Sequence, residues 1–163
     1  PDGRWPEEVH NTIISRAFGE GKNKLSSSAV SALQRGSIEA DTMKYQDPAH
    51  NYMHAMRMSG QSAEEAAGLT VTFIMQQIGE YKRLKAAGQT EKAYEALGMA
   101  MHPLMDNTSP SHNDFQVWES PYAHPLDANA HKTHERVDVF NSNADYSKRS
   151  VDAILNLYNE ANK

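Results

Sequence analysis

"ALGMAMHPLMDNTSPSH", residues 96–112, brings His102, Asp106 and His112 together at the end of a helical run. The helix is expected to start near Thr90 and to run through Met101, and "DNTSPSHNDFQ" reads as the polar loop that follows. His102 and Asp106 stand four positions apart, which on a helix puts both side chains on one face, about one turn from each other. That is chelating geometry. His112 lies on the departing loop, free to fold back toward the same cavity. Pro103 removes a backbone donor inside this helix and predicts a kink beside His102.

Working outward, the same helical period recurs and almost nothing alternates as a strand does. Pro6 is placed to open a helix over 6–18, with Glu7 and Glu8 in its first turn, where carboxylates favour the positive helix end. Val9, Ile13 and Ala17 form its apolar stripe, and Gly19 stops it. A second helix is expected over 25–35, closing before Gly36. Residues 37–50 read as a loop, followed by a short helical turn around "NYMHAMR". Ser62 with Glu65 makes a capping box for a long helix to about Ala87, with Gly68 and Gly79 inside it and Gly88 after it. Two last helices are expected near 126–140 and 145–162. No internal repeat, low-complexity tail or linker divides the chain. The expectation is one all-α domain over residues 1–163, a compact multi-helix unit.

Composition narrows the chemistry. The chain has 163 residues, enough for one domain with a real core, and 39% of them are apolar. No apolar run approaches the ~18 residues that a bilayer span needs. With no cysteine, disulfides and thiolate chemistry are excluded, so a metal has to be held by His, Asp, Glu or backbone atoms. The formal charge of −5 argues against a broad basic face for nucleic acid, though not against an enzyme that grips phosphates through metal ions. A polybasic membrane patch is equally unsupported. The start at Pro1, with no methionine and no charged-then-apolar leader, suggests a mature form, a cleavage product or an excised domain.

Candidate ligands lie beyond the quoted stretch. "HKTHE" repeats the four-residue device with His131 and Glu135; His10 falls early in the first helix; and Asp41, His50 and His54 lie within "DTMKYQDPAHNYMH". Taken singly, each has an ordinary reading: His10 as a surface or core histidine, the His102–Asp106 pair as a helix hydrogen bond, Asp41 as a loop carboxylate. Their combination on several elements of a cysteine-free chain points instead to metal, because one ion needs three or more nitrogen and oxygen donors converging from different elements.

The order and spacing resemble the zinc-dependent phospholipase C and P1/S1 nuclease superfamily. Members carry an N-terminal Trp, a His soon after, an Asp, a further His, then H-x3-D-x5-H and finally H-x3-[E/D]. Here those positions are Trp5, His10, Asp41, His54, the run His102, Asp106, His112, and His131 with Glu135. The resemblance implies an all-helical phosphodiesterase binding up to three zinc ions. Asp41, His54, His102 and Asp106 would hold one; Asp106 would bridge to a second shared with His10 and the backbone of Trp5; His112, His131 and Glu135 would hold the third. Such metals activate water and balance charge on the phosphoryl oxygens and leaving alkoxide, and Asp41 could orient or deprotonate the attacking water. Two departures stand out: four residues precede Trp5, which in the family comes first and binds zinc through its free amine, and Pro103 follows His102 directly. His54 is preferred to His50 for its distance from Asp41, and His50, His124 and His134 are expected at the surface or behind the ligands.

The resemblance implies phospholipase C-like cleavage of glycerophospholipids, with phospholipid or a membrane surface as partner. The alternative is a P1/S1-like nuclease on single strands, which needs aromatics that stack bases; a further alternative is a non-catalytic helical metal-binding module. Phe115, Trp118 and Tyr122 after the metal loop suit a lipid surface, or a core. "YMHAMR" and "MDNTSPSH-x2-F-x2-W" are similar to toxin domains at the C-termini of Rhs-type polymorphic bacterial toxins. That similarity implies secretion or delivery into a target cell, action at the periplasm or membrane, and a cognate immunity protein.

Overall fold

Helix α1 (Glu7–Phe18) starts where the extended backbone of Pro6, φ −65° and ψ 162°, turns its carbonyl toward the Val9 and His10 amides at 2.9 and 3.2 Å. Pro6 is therefore the cap and Glu7 the first helical residue. The computed structural model of the chain describes residues 6–45, 48–58, 60–108 and 137–163, and among them there is no strand. Helix α2 (Ser27–Glu39) is capped by the Ser26 hydroxyl, which accepts from the Ala29 amide at 3.2 Å. Helix α3 (Ala63–Ala86) begins at Ser62, whose side chain accepts from the Glu65 amide at 3.0 Å, and Gly88, at φ 78°, follows its end. Helices α4 (Thr90–Asp106), α5 (Val137–Asn141) and α6 (Ala144–Ala161) follow. The expected stretch 126–136 lies outside the described residues.

Two expected helix ends move. Gly36 was expected to lie beyond the end of α2, yet the helix runs on to Glu39. A Cβ at Gly36 would stand 1.9 Å from the Glu95 carbonyl oxygen, and one at Gly98 would stand 2.1 Å from that of Leu33. The two glycines are thus the points at which α2 and α4 touch backbone to backbone. Likewise α4 does not stop at Met101 but passes through Pro103 to Asp106. Proline there removes its own amide from the helix ladder and crowds the carbonyl four residues earlier. The burial of Met101, Pro103 and Met105 around it holds the last turn in place.

Helix α4 is the axis of the fold. It lies along α2 and α3 and also meets α1 and α6. Ile13, Ile14, Phe18, Leu33, Tyr81, Leu97, Met101, Met105 and Ile154 fill the core between these helices. A smaller cluster of Ala40, Met53 and Phe73 anchors a 3-10 turn, Pro48–His54, against α3. No helix of the described residues is long and apolar enough to cross a membrane.

Candidate metal centre

Four separate elements deliver polar side chains to one buried point. His10 sits on the core-facing stripe of α1 and is 1% exposed. Asp41 follows the end of α2, its amide donating to the Ile38 carbonyl at 2.9 Å. His54 closes the 3-10 turn, and His102 and Asp106 lie one turn apart on α4, both fully buried. Directly after His54, Ala55 is held at φ 52°, a left-handed conformation that costs a residue with a Cβ roughly 1–2 kcal/mol. The turn is completed by the Met56 amide on the Asn51 carbonyl at 3.0 Å.

The separations have the scale of a coordination shell. His102 Nε2 lies 2.8 Å from Asp106 Oδ2 and 3.1 Å from Asp41 Oδ1, and His54 Nδ1 is 3.2 Å from that same nitrogen. His54 Nδ1 is also 3.3 Å from Asp106 Oδ2 and 3.7 Å from Asp41 Oδ1. Ligands at about 2.0–2.1 Å from a tetrahedral ion stand about 3.3–3.4 Å apart, and these separations, 2.8 to 3.7 Å, bracket that spacing.

Protons alone serve this cluster poorly. The Tyr45 carbonyl can only accept, and it lies 3.2 Å from His54 Nε2, so that nitrogen carries the hydrogen and the neutral ring presents a lone pair at Nδ1. Burial, the largest influence on His54, pushes its pKa down and keeps it neutral. His102 Nε2 has at most one hydrogen to share among Asp106, Asp41 and His54. Burial opposes charge on His102 too, but the two carboxylates outweigh it and raise its pKa to about 10. Burial would likewise raise Asp41 and Asp106; the neighbouring imidazoles, His102 foremost, instead hold Asp41 at about 2 and Asp106 well below the ordinary carboxylate value. Two carboxylates around one imidazolium leave a net negative charge, and a divalent cation that displaced the His102 proton would balance both carboxylates.

Asp106 also turns toward a second partner. Its Oδ1 is 3.1 Å from His10 Nε2 without hydrogen-bond alignment, and among the described residues neither His10 nitrogen has a hydrogen-bond partner. The His10 and His102 rings stack at 4.2 Å, tilted by 20°. His10, Asp41 and His102 form one group able to hold a metal, and His54, His102 and Asp106 a second that overlaps it. Asp106 thus presents one oxygen to each side.

Of the sequence-derived ligands, five come together: His10, Asp41, His54, His102 and Asp106. Trp5, His112, His131 and Glu135 lie outside the described residues, as do Phe115, Trp118 and Tyr122. His50 is elsewhere, edge-on to Tyr45 at 5.3 Å and tilted against Tyr52 at 6.1 Å. Sequence reading missed the Tyr45 carbonyl, which no side-chain pattern reveals, and Ser37, whose hydroxyl lies 3.3 Å from His102 Nδ1. A serine four positions after Leu33, on the buried stripe of α2, was the available signal. In comparisons with protein-family models, curated proteins and solved structures, nothing matches the chain.

Proposed function

We propose that the chain is a zinc-dependent phosphodiesterase of the phospholipase C type, hydrolysing a glycerophospholipid to diacylglycerol and a phosphorylated head group. The observation that carries this reading is the pair of overlapping donor groups, His10 with Asp41 and His102, and His54 with His102 and Asp106. A donor set of imidazole and carboxylate without thiolate suits zinc. When bound, zinc supplies a Lewis acid for the phosphoryl oxygen and acidifies a water toward neutrality. Among the described ligands Asp41 is the most open, its side chain 14% exposed against 8% for His54 and none for His102 and Asp106. Water and substrate therefore reach the centre past Asp41. A carboxyl held at about 2 is a poor base at neutral pH, so the role left to Asp41 is to orient the attacking water.

The lipid preference rests on α3. From Ala66 to Gly79 it has no charged residue, although Glu64 and Glu65 precede this stretch and Glu80, Lys82 and Arg83 follow it. It exposes Val71 and Met75, at 58% and 61%, and Leu69, and Met58, which precedes the helix, is also open. Its inner side holds the turn that bears His54: Thr70 Oγ1 donates to the Tyr52 carbonyl at 2.8 Å, and Phe73 meets the Tyr52 ring at 5.5 Å. An apolar surface on the far side of the helix that carries the His54 turn suits a substrate that sits in a membrane. The similarity to Rhs-type toxin domains supports delivery into a target cell, action at its membrane or periplasm, and an immunity protein in the producer.

The test is a phosphorus NMR time course with zinc, mixed phospholipid vesicles and single-stranded DNA in one tube, beside a chelator control. Chelator-sensitive growth of head-group phosphomonoesters is expected. Nucleotide monophosphates would make the chain a single-strand nuclease, and an unchanged spectrum a non-catalytic metal-binding module.

A further inference from the structure

We infer that Ser37 is a positioning residue of the metal centre, holding the His102 ring so that Nε2 and not Nδ1 faces the ion; this rests on the metal reading above. Ser37 is fully buried on the side of α2 that meets α4, among Leu33, Gly36 and Ala40. A helical serine there ordinarily turns back to the carbonyl four residues earlier. Its hydroxyl instead lies 3.3 Å from His102 Nδ1. The approach of α2 to α4 at Gly36 and Gly98 creates that reach, because a Cβ at either glycine would collide with the opposite backbone.

The direction of the bond follows from what lies on the other side of the ring. His102 Nε2 faces Asp41, Asp106 and His54, all within 3.2 Å, and to bind an ion it must offer them a lone pair. The hydrogen of the neutral ring then sits on Nδ1, which donates to Ser37 Oγ. His54 shows the complementary arrangement: its Nε2–H donates to the Tyr45 carbonyl, leaving Nδ1 as the ligand. The two imidazoles therefore bind through different nitrogens, each chosen by the acceptor behind it.

The experiment compares zinc affinity, by competition with a chromogenic chelator, in the wild type and in Ser37→Ala, Ser37→Thr and Ser150→Ala, with the His102 nitrogens followed by long-range ¹H–¹⁵N correlation. Loss of an outer-shell partner costs about 10–100-fold in metal affinity, so Ser37→Ala is expected to weaken zinc by that factor and Ser37→Thr to restore most of it. Ser150 is equally buried but bonds Thr108 and the Tyr146 carbonyl, so Ser150→Ala should lower thermal stability and leave zinc affinity unchanged. If Ser37→Ala does not fold, Ser37→Cys, close in size and a weaker acceptor, reads the same loss. Wild-type affinity in a folded Ser37→Ala protein, or ligation of His102 through Nδ1, overturns the role of Ser37 and leaves the metal centre standing. A wild-type chain that binds no zinc overturns both.

Discussion

Replacing Gly36 by alanine sets two effects of opposite sign against each other. Helix propensity favours the change by about 1 kcal/mol, since Gly36 lies inside α2. Packing opposes it: the new Cβ would stand 1.9 Å from the Glu95 carbonyl oxygen, where ordinary contact begins near 3.4 Å, so α2 and α4 have to part by roughly 1.5 Å. The obstacle is backbone on both sides and cannot rotate away. Overpacking of this kind typically costs about 1–3 kcal/mol and occasionally more, and here the parted helices also lose contact around Leu33 and Leu97. Set against the propensity gain, the upper end of that cost leaves a net loss of about 2 kcal/mol, which lowers the melting temperature by about 4–8 °C for a chain of this size. The assay is thermal and urea unfolding followed by circular dichroism. Gly68→Ala and Gly79→Ala are the internal control, because a Cβ at either position of α3 meets nothing within 4 Å. They gain the propensity term alone and should raise stability by up to about 1 kcal/mol each. A Gly36→Ala protein as stable as the wild type would refute the close-contact reasoning.

Zinc binding at pH 7 should release about one proton, because His102, raised to about 10, is protonated there, while His54 is held neutral and both aspartates are already ionised. The sign for the metal-free chain follows: a histidine raised on folding contributes stability that is full below its free pKa of 6.5 and lost as pH climbs through about 10, so the apo form weakens from neutral to alkaline pH while zinc affinity rises. Proton uptake on binding, read by calorimetry in buffers of different ionisation enthalpy, would contradict this. Asp106→Asn removes the oxygen 2.8 Å from His102, and should abolish diester turnover and weaken zinc by more than the ~100-fold of an outer-shell loss, with helical content retained; wild-type turnover in this variant sinks the catalytic reading. Val71→Asp with Met75→Asp should cut hydrolysis of vesicle lipid at least about tenfold and leave a short-chain soluble diester unaffected, since exposed substitutions of this kind usually move stability by no more than about 0.5 kcal/mol. Equal loss on both substrates would place the defect in the fold and not at a lipid surface.

What could be read from the sequence depended on how local its cause was. The cap at Ser62 and the four-residue step from His102 to Asp106 are contacts within one helix, and their signals lie within a few residues. Gly36 misled because the residue that explains it, Glu95, is far along the chain; a glycine that permits a close helix contact and one that ends a helix look alike in isolation. The helix end read at Met101 fell short for a related reason, since surrounding burial and not propensity holds the last turn of α4. The preference for His54 over His50 came from spacing, and the structure puts His54 in the cluster and His50 among the rings of Tyr45 and Tyr52. The carbonyl of Tyr45 could not be found this way, because every residue has a carbonyl and only the fold selects one.

The cluster joins parts of the chain that the apolar core joins unevenly. His10 rides on α1 and His102 and Asp106 on α4, both rooted in the main core, whereas Asp41 and His54 belong to a segment anchored chiefly by Ala40, Met53 and Phe73 and strained at Ala55. An ion held by both groups adds its binding energy where the apolar contribution is smallest. At a free zinc concentration ~1,000 times the dissociation constant the linkage is worth about 4.1 kcal/mol, or about 10 °C in melting temperature. That gain should be local. Stripping zinc with a chelator is expected to speed amide exchange over 41–56 by much more than along α2 and the first turns of α4, whose backbone contact at Gly36 and Gly98 needs no metal. Exchange that accelerates evenly through all the helices would mean instead that the ion supports the whole fold, and that the turn bearing His54 is held by its own packing.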